Sequence, residues 1–245
     1  MFPLIRGWTD VQRSPEANLR LGLVLTFVAG ATNAGGFLAV GSYTSHMTGI
    51  LSSVADDVVL GNFTLALVGM VCLMAFMAGA MSTAVMVNWG LRQHLHSSYS
   101  LPLLVESVAL LVFGLFGAAI AAWSQVFVPV TVVLLCFIMG LQNAVITKIS
   151  KAEIRTTHIT GLVTDLGIEL GKLLYMNRSH ADQPVLANRQ RLRVQGSLVL
   201  GFLLGGLVGA LGFKHGGYIT TLPLAAMLWV LCLRPLLSDL RGRST

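Results

Sequence analysis

The chain has 245 residues, of which 55% are hydrophobic and only 11% charged. Soluble domains carry about 25% charged residues, so this composition excludes an ordinary water-soluble enzyme and a disordered chain; the mean hydropathy of +0.77 points to a polytopic membrane protein. The net charge of +6 does not call for a nucleic-acid partner, because the basic residues fall between apolar runs, where the positive-inside bias places them.

Taken in order, residues 1–18 are polar and lack an apolar core, so they read as a cytoplasmic segment without a cleaved leader. Stretches free of Asp, Glu, Lys and Arg then predict spanning helices at 20–40, 63–89, 101–122, 129–147, 194–213 and 217–234. The uncharged run 107–147 is too long for one helix, and the polar segment 123–129, closed by Pro129, supplies the break. Two further segments, 46–60 and 158–172, are helical in pattern but short. Each spans about 22 Å at 1.5 Å per residue, against roughly 30 Å of hydrocarbon. The segment 173–193 is a polar connector, and 239–245 a cytoplasmic tail. Cys72, Cys136 and Cys232 lie in apolar stretches and read as small core residues.

Charge decides how the short segments sit. If neither crosses and both termini are cytoplasmic, Lys214 is the only one of the 16 Lys and Arg left outside. If both cross, Arg92, Lys148, Lys151 and Arg155 join it there. The positive-inside rule therefore favours six spans.

The chain also repeats itself. Thr44-Ser-His-Met-Thr-Gly49 matches Thr156-Thr-His-Ile-Thr-Gly161 at an offset of 112 residues, and Gly30-Ala-Thr-Asn-Ala34 resembles Gly140-Leu-Gln-Asn-Ala144 at an offset of 110. The first repeat is 19–123 and the second 124–238, each with three spans and one short segment. Three is odd, so the halves have opposite orientation. The predicted fold class is an all-α membrane protein: six transmembrane helices as a 3+3 inverted repeat with two short re-entrant half-helices, a plan that puts binding sites near the midplane.

The strings Thr32-Asn-Ala-Gly-Gly-Phe37 and Tyr43-Thr-Ser-His-Met-Thr-Gly-Ile50, with Gly140-Leu-Gln-Asn-Ala144 and Thr156-Thr-His-Ile-Thr-Gly-Leu-Val-Thr-Asp-Leu166, resemble the YoaK-like family of bacterial multi-pass membrane proteins, a domain of unknown function. The resemblance covers most of 18–238. It implies the membrane fold and a bacterial inner-membrane location. Members usually carry Asp before the Gly-Phe region and Asn after the first Thr-Gly; Asn33 and Ile50 stand here.

The repeated motif carries the candidate chemistry. Half-helices that start inside the membrane point free N–H groups and a positive dipole end at the midplane, which favours anions. Thr44, Ser45, His46, Thr48, Thr157, His158 and Thr160 would then line a polar vestibule, with Gly49 and Gly161 allowing close backbone approach. Asn33 and Asn143 would add amides, and Arg155 a positive charge. His46, Ser53 and Asp57 are spaced i, i+7, i+11, as are His158, Asp165 and Glu169, so each trio falls within about 40° on its helix. Asp57, Asp165 and Glu169 read as an ion or proton relay, or as acids solvated at the interface. Glu106 reads as a first-turn acid favoured by the helix dipole. Gly201, Gly205 and Gly209 form overlapping GxxxG packing steps.

No nucleotide-binding, nucleophile-elbow or zinc motif is present, so no cofactor, metal or enzymatic activity is expected. The favoured function is a passive or ion-coupled transporter or channel for a small polar or anionic solute, in contact with lipid and with self-association left open. The alternatives are a non-transporting assembly or sensing module and, third, an integral-membrane enzyme.

Overall fold

The computed structural model describes residues 14–122, 124–149, 159–176 and 184–242. Among these the structure is helical throughout: α1 (Pro15–Val40), α2 (Met47–Val59), α3 (Phe63–Arg92), α4 (Ser100–Ala122), α5 (Ser124–Ile149), α6 (Ile159–Leu174), α7 (Arg189–Gly216) and α8 (Thr221–Gly242), with a 3-10 turn at Gly217–Thr220. Local chemistry sets the ends. Ser14 Oγ accepts from the Ala17 N–H at 3.2 Å with Pro15 at the first helical position. Gly41, at φ 73°, closes α1 by donating its N–H to the Phe37 carbonyl at 2.8 Å.

Several boundaries differ from expectation. α1 and α7 each open five residues early, at Pro15 and Arg189. α5 opens at Ser124, ahead of Pro129, so it takes in residues 124–129 of the predicted break. The last helix begins later than expected and runs on through Pro235 to Gly242. Its final turns have a partner: the Asp239 carboxylate accepts the N–H groups of His96 and Ser97 at 2.8 and 2.9 Å, ahead of α4.

Among the described residues, five stretches are long and apolar enough to cross a membrane, and the last of them, Arg189–Arg241, takes in α7 and nearly all of α8. Their outer faces are apolar: Leu67, Met74, Met81 and Val85 on α3 and Leu203, Leu207 and Leu211 on α7 are all exposed. Apolar faces of that extent match hydrocarbon, not water, so the fold is that of a membrane-embedded helical protein.

The helices meet in pairs whose direction can be read from their contacts. Gly201, Gly205 and Gly209 of α7 lie against the backbone carbonyls of Leu23, Phe27 and Ala31 in turn, so α1 and α7 run parallel and the GxxxG steps pack as expected. α3 and α5 are also parallel, since Thr83 Oγ1 donates to the Leu141 carbonyl at 3.1 Å and Lys148 Nζ to Asn88 Oδ1 at 3.0 Å. α4 and α8 are antiparallel, tied by Ser107 Oγ to the Ala225 carbonyl at 2.8 Å and Thr221 Oγ1 to the Leu110 carbonyl at 3.0 Å.

Both parallel crossings use one four-residue device that the sequence reading did not pick out. Phe27-x-x-Gly30 meets Phe202-x-x-Gly205, and Phe76-x-x-Gly79 meets Phe137-x-x-Gly140. In each pair, a side-chain carbon added at either glycine would collide with the partner's phenylalanine carbonyl oxygen. Only glycine permits that backbone approach, and dispersion contacts replace the missing hydrophobic drive in lipid.

The short helices lie on longer ones: α2 on α3, and α6 on α7. Leu25, Leu110, Phe113, Leu135 and Met139 belong to the buried core between the pairs.

Candidate functional site

After Gly41 the chain leaves the helix and turns back before α2 begins. Asn33, seven residues before the end of α1, holds this turn. Its Oδ1 accepts both the Ser45 N–H at 3.3 Å and the Ser45 hydroxyl at 2.9 Å. The turn is therefore level with the body of α1 and not with its end. His46 takes the cap position of α2 without making a side-chain cap hydrogen bond. Its imidazole lies over Gly49, where any side chain would strike the ring.

The turn, α2 and α3 enclose a groove of about 490 Å³. Thr44 lies in its lining, fully buried, and its hydroxyl has no hydrogen-bond partner. His46, Ser53 and Asp57 line the same groove from one face of α2, as their spacing predicts. Apolar walls come from Ile50, Val54, Leu65 and Val68. Gly69 makes room for Val54 to pack. Phe37 and Tyr43 stack at 4.4 Å with planes 17° apart, on the lining of the same groove. Cys72 is also part of the lining; all three cysteines are free and buried.

The predicted residues thus divide. Thr44, His46, Gly49 and Asp57 come together in the groove, with Asn33 and Ser45 holding the turn behind it. Thr48 is exposed and outside the lining. Arg155, Thr157 and His158 lie outside the described residues. Of the rest of the second half, Asn143 Nδ2 donates to the Met139 carbonyl at 3.0 Å, Thr160 is exposed and Gly161 half-buried at the start of α6.

Asp165 and Glu169 are engaged elsewhere. Asp165 Oδ2 accepts from Gln195 Nε2 at 2.8 Å and pairs with Arg191 at 3.5 Å, both on α7. Glu169 is buried; it pairs with Lys172 at 2.7 Å and accepts the N–H of Asn188, the cap residue of α7, at 2.7 Å. The Lys172 ammonium and the Asn188 N–H hold its carboxyl below the ordinary range. These two acids fasten α6 to α7.

Glu106 differs from the expectation. α4 opens at Ser100, so Glu106 sits in the second turn; it is wholly buried, and neither carboxyl oxygen has a partner among the described residues. It occupies a stripe completed by Leu103, Leu110 and Phe113, all at 0% exposure. Among the described residues no group of three or more potential metal ligands occurs.

With this geometry in view, the class is an all-helical membrane-embedded protein. The chain belongs to the family described as Protein of unknown function (DUF1275), whose model matches residues 21–233; the YoaK-like resemblance is consistent with that membership. No curated protein and no solved structure matches it significantly.

Proposed function

We propose that the protein is a transporter or channel that passes a small polar solute across the bacterial inner membrane, by a passive or ion-coupled route, with the groove between α2 and α3 as its solute site. The observation that carries this reading is the Thr44 turn. Non-helical backbone within an apolar bundle is tolerated where it is buried in protein or lines a cavity. Here it lines one: Ser42, Tyr43, Thr44 and His46 of the turn all stand in the wall of the groove, where their polar groups can meet a solute.

The architecture supports an inverted repeat. The Phe-x-x-Gly pairing that joins α1 to α7 recurs between α5 and α3, α2 begins 112 residues before α6 (47 to 159), and each short helix lies on the helix that follows it. In this reading α1, α3, α4, α5, α7 and α8 are the six spans. α2 and α6 are re-entrant, entering from opposite sides, and both termini are cytoplasmic.

Two experiments test the proposal. Single cysteines at the exposed Ser53 and Gly216, in a background without native cysteines, should react with an impermeant thiol reagent from outside intact cells, while one at the exposed Gln93 should not. Protection of Ser53 with labelling of Gln93 would overturn the orientation. A thermal-shift screen of small polar metabolites against wild type and Ser53→Trp, which fills the groove, should find ligands that stabilise the first and not the second. Equal stabilisation of both would remove the groove from the reading.

A further inference from the structure

The charge and shape of the groove narrow its ligand. We infer that it takes an organic cation, an amine or quaternary ammonium carried on a flat apolar body; this rests on the reading of the groove as the solute site.

Three features of the lining converge. The first is charge. The groove lining contains one carboxylate, Asp57, and no lysine or arginine. Among the described residues Asp57 makes no side-chain hydrogen bond or ion pair, whereas the corresponding acids of α6 are both engaged. A carboxylate that the protein leaves unpaired on the wall of a largely apolar groove is a counter-ion without its ion. The α2 dipole end and Arg155 favour an anion by sequence; Arg155 lies outside the described residues, and the described lining offers an anion no lysine or arginine, but hydroxyls and the imidazole of His46.

The second feature is the aromatic pair. Phe37 and Tyr43 stack at 4.4 Å yet remain 39% and 49% exposed. Such faces attract cations through the ring quadrupole and also stack against flat rings. The third is the polar end. Ser42 and Ser53 are exposed on the lining, and their hydroxyls can donate to or accept from a hydrogen-bonding group on the ligand. Between these points the walls are Ile50, Val54, Leu65 and Val68, which suit an apolar body and would not hold a heavily hydrated ion.

The test uses the full-length protein in detergent with two aromatic probes of opposite charge: ethidium, a flat organic cation, and 1-anilinonaphthalene-8-sulfonate, an anion. Ethidium should bind saturably by fluorescence anisotropy. Asp57→Asn should weaken it at least about tenfold, the loss expected for one charged contact, with the thermal unfolding of the unliganded protein unchanged. Ser53→Trp, which fills the groove, should abolish ethidium binding. If the sulfonate binds instead, is lost in Ser53→Trp and is indifferent to Asp57→Asn, the groove stands as a site and the cation is wrong. If ethidium binds and Asp57→Asn has no effect on it, the inference also fails. If Ser53→Trp changes the binding of neither probe, both the inference and the groove as a solute site fall together.

Discussion

α2 and α6 begin from nearly the same string, and each lies on the helix that follows it, yet their polar faces meet different surroundings. On α2, Asp57 opens onto a groove and the helix has no buried residue. On α6, Asp165 and Glu169 are taken up by Arg191, Gln195 and the Asn188 N–H, and Glu169 is buried. The cause lies in the supporting helices. α7 begins Arg-Gln-Arg-Leu-Arg-Val-Gln and can pair with acids; α3 begins Phe-Thr-Leu-Ala-Leu-Val-Gly and cannot. Of two short helices that open on matching strings, one is fastened by its neighbour and the other is left unfastened. An open polar face is what a binding site needs, while the fastened helix can serve as a fixed frame.

The largest effect should come from what the halves share. Gly79→Leu and Gly205→Leu each drive a side chain into a backbone carbonyl. Ordinary overpacking costs about 1–3 kcal/mol; here the obstacle is main chain, which cannot rotate away, so the cost is higher. Both variants should lose the monodisperse peak on size-exclusion chromatography in detergent, to a similar degree. Tolerance at one site alone would mean that the two Phe-x-x-Gly crossings are not equivalent.

The next prediction separates the short helices. Glu169→Ala removes a buried ion pair and the acceptor for the α7 cap, so thermal unfolding should fall by several degrees and exchange protection of α6 should drop. Asp57→Ala should leave both unchanged. The same contrast appears in acid. The folded Glu169 carboxyl titrates below its ordinary value of 4.5, so the native state binds fewer protons than the unfolded chain near that pH. Its contribution is complete above about pH 4.5 and is lost as pH falls through the lower, folded value. Hydrogen exchange should therefore show α6 loosening from α7 on acidification before α2 changes. Simultaneous loosening of both would show that α6 is not held by this acid.

A third acid belongs to neither short helix. Glu106 lies with both oxygens unpaired in an otherwise apolar stripe, and desolvating an unpaired polar group costs about 1–3 kcal/mol. Glu106→Met keeps the length and removes the cost, so it should raise stability by an amount of that order, measured by thermal unfolding in detergent. A loss of stability would show that the carboxyl has a partner in the membrane that pays for its burial.

Much of this fold is legible in the chain. Gaps between charges locate the long helices because hydrocarbon excludes charge, and the Thr-His-Thr-Gly strings mark the start of both short ones. What escapes the eye depends on neighbours distant in sequence. Phe-x-x-Gly is unremarkable in any one helix and acquires meaning only when two copies cross. Asp57 and Glu169 occupy equivalent places, and nothing local distinguishes them; their difference comes from residues 63–69 and 188–195, beyond the helices that carry them. Glu106, six residues into its helix, has the pattern of an interfacial acid, and only the packing of α4 shows that its stripe faces inward.

The smallest effect tests the comparison at the level of single glycines. Gly167, in the middle of α6, is exposed and has no atom near the place a side chain would take. Its conformational freedom in the unfolded chain is therefore a net cost, and Gly167→Ala should stabilise by about 0.5–1 kcal/mol, read as a small rise in the unfolding temperature. Gly49, in the first turn of α2, has the opposite setting, because its missing side chain is filled by the His46 ring. Gly49→Ala gains the same helix propensity but forces the imidazole out of its place in the groove lining, so stability should change little while ethidium affinity changes. The pair of substitutions thus asks one chemical question of both short helices. If Gly49→Ala stabilises as much as Gly167→Ala and leaves binding untouched, His46 does not need its seat over the first turn, and the first copy is not shaped around a ligand in the way its open face requires.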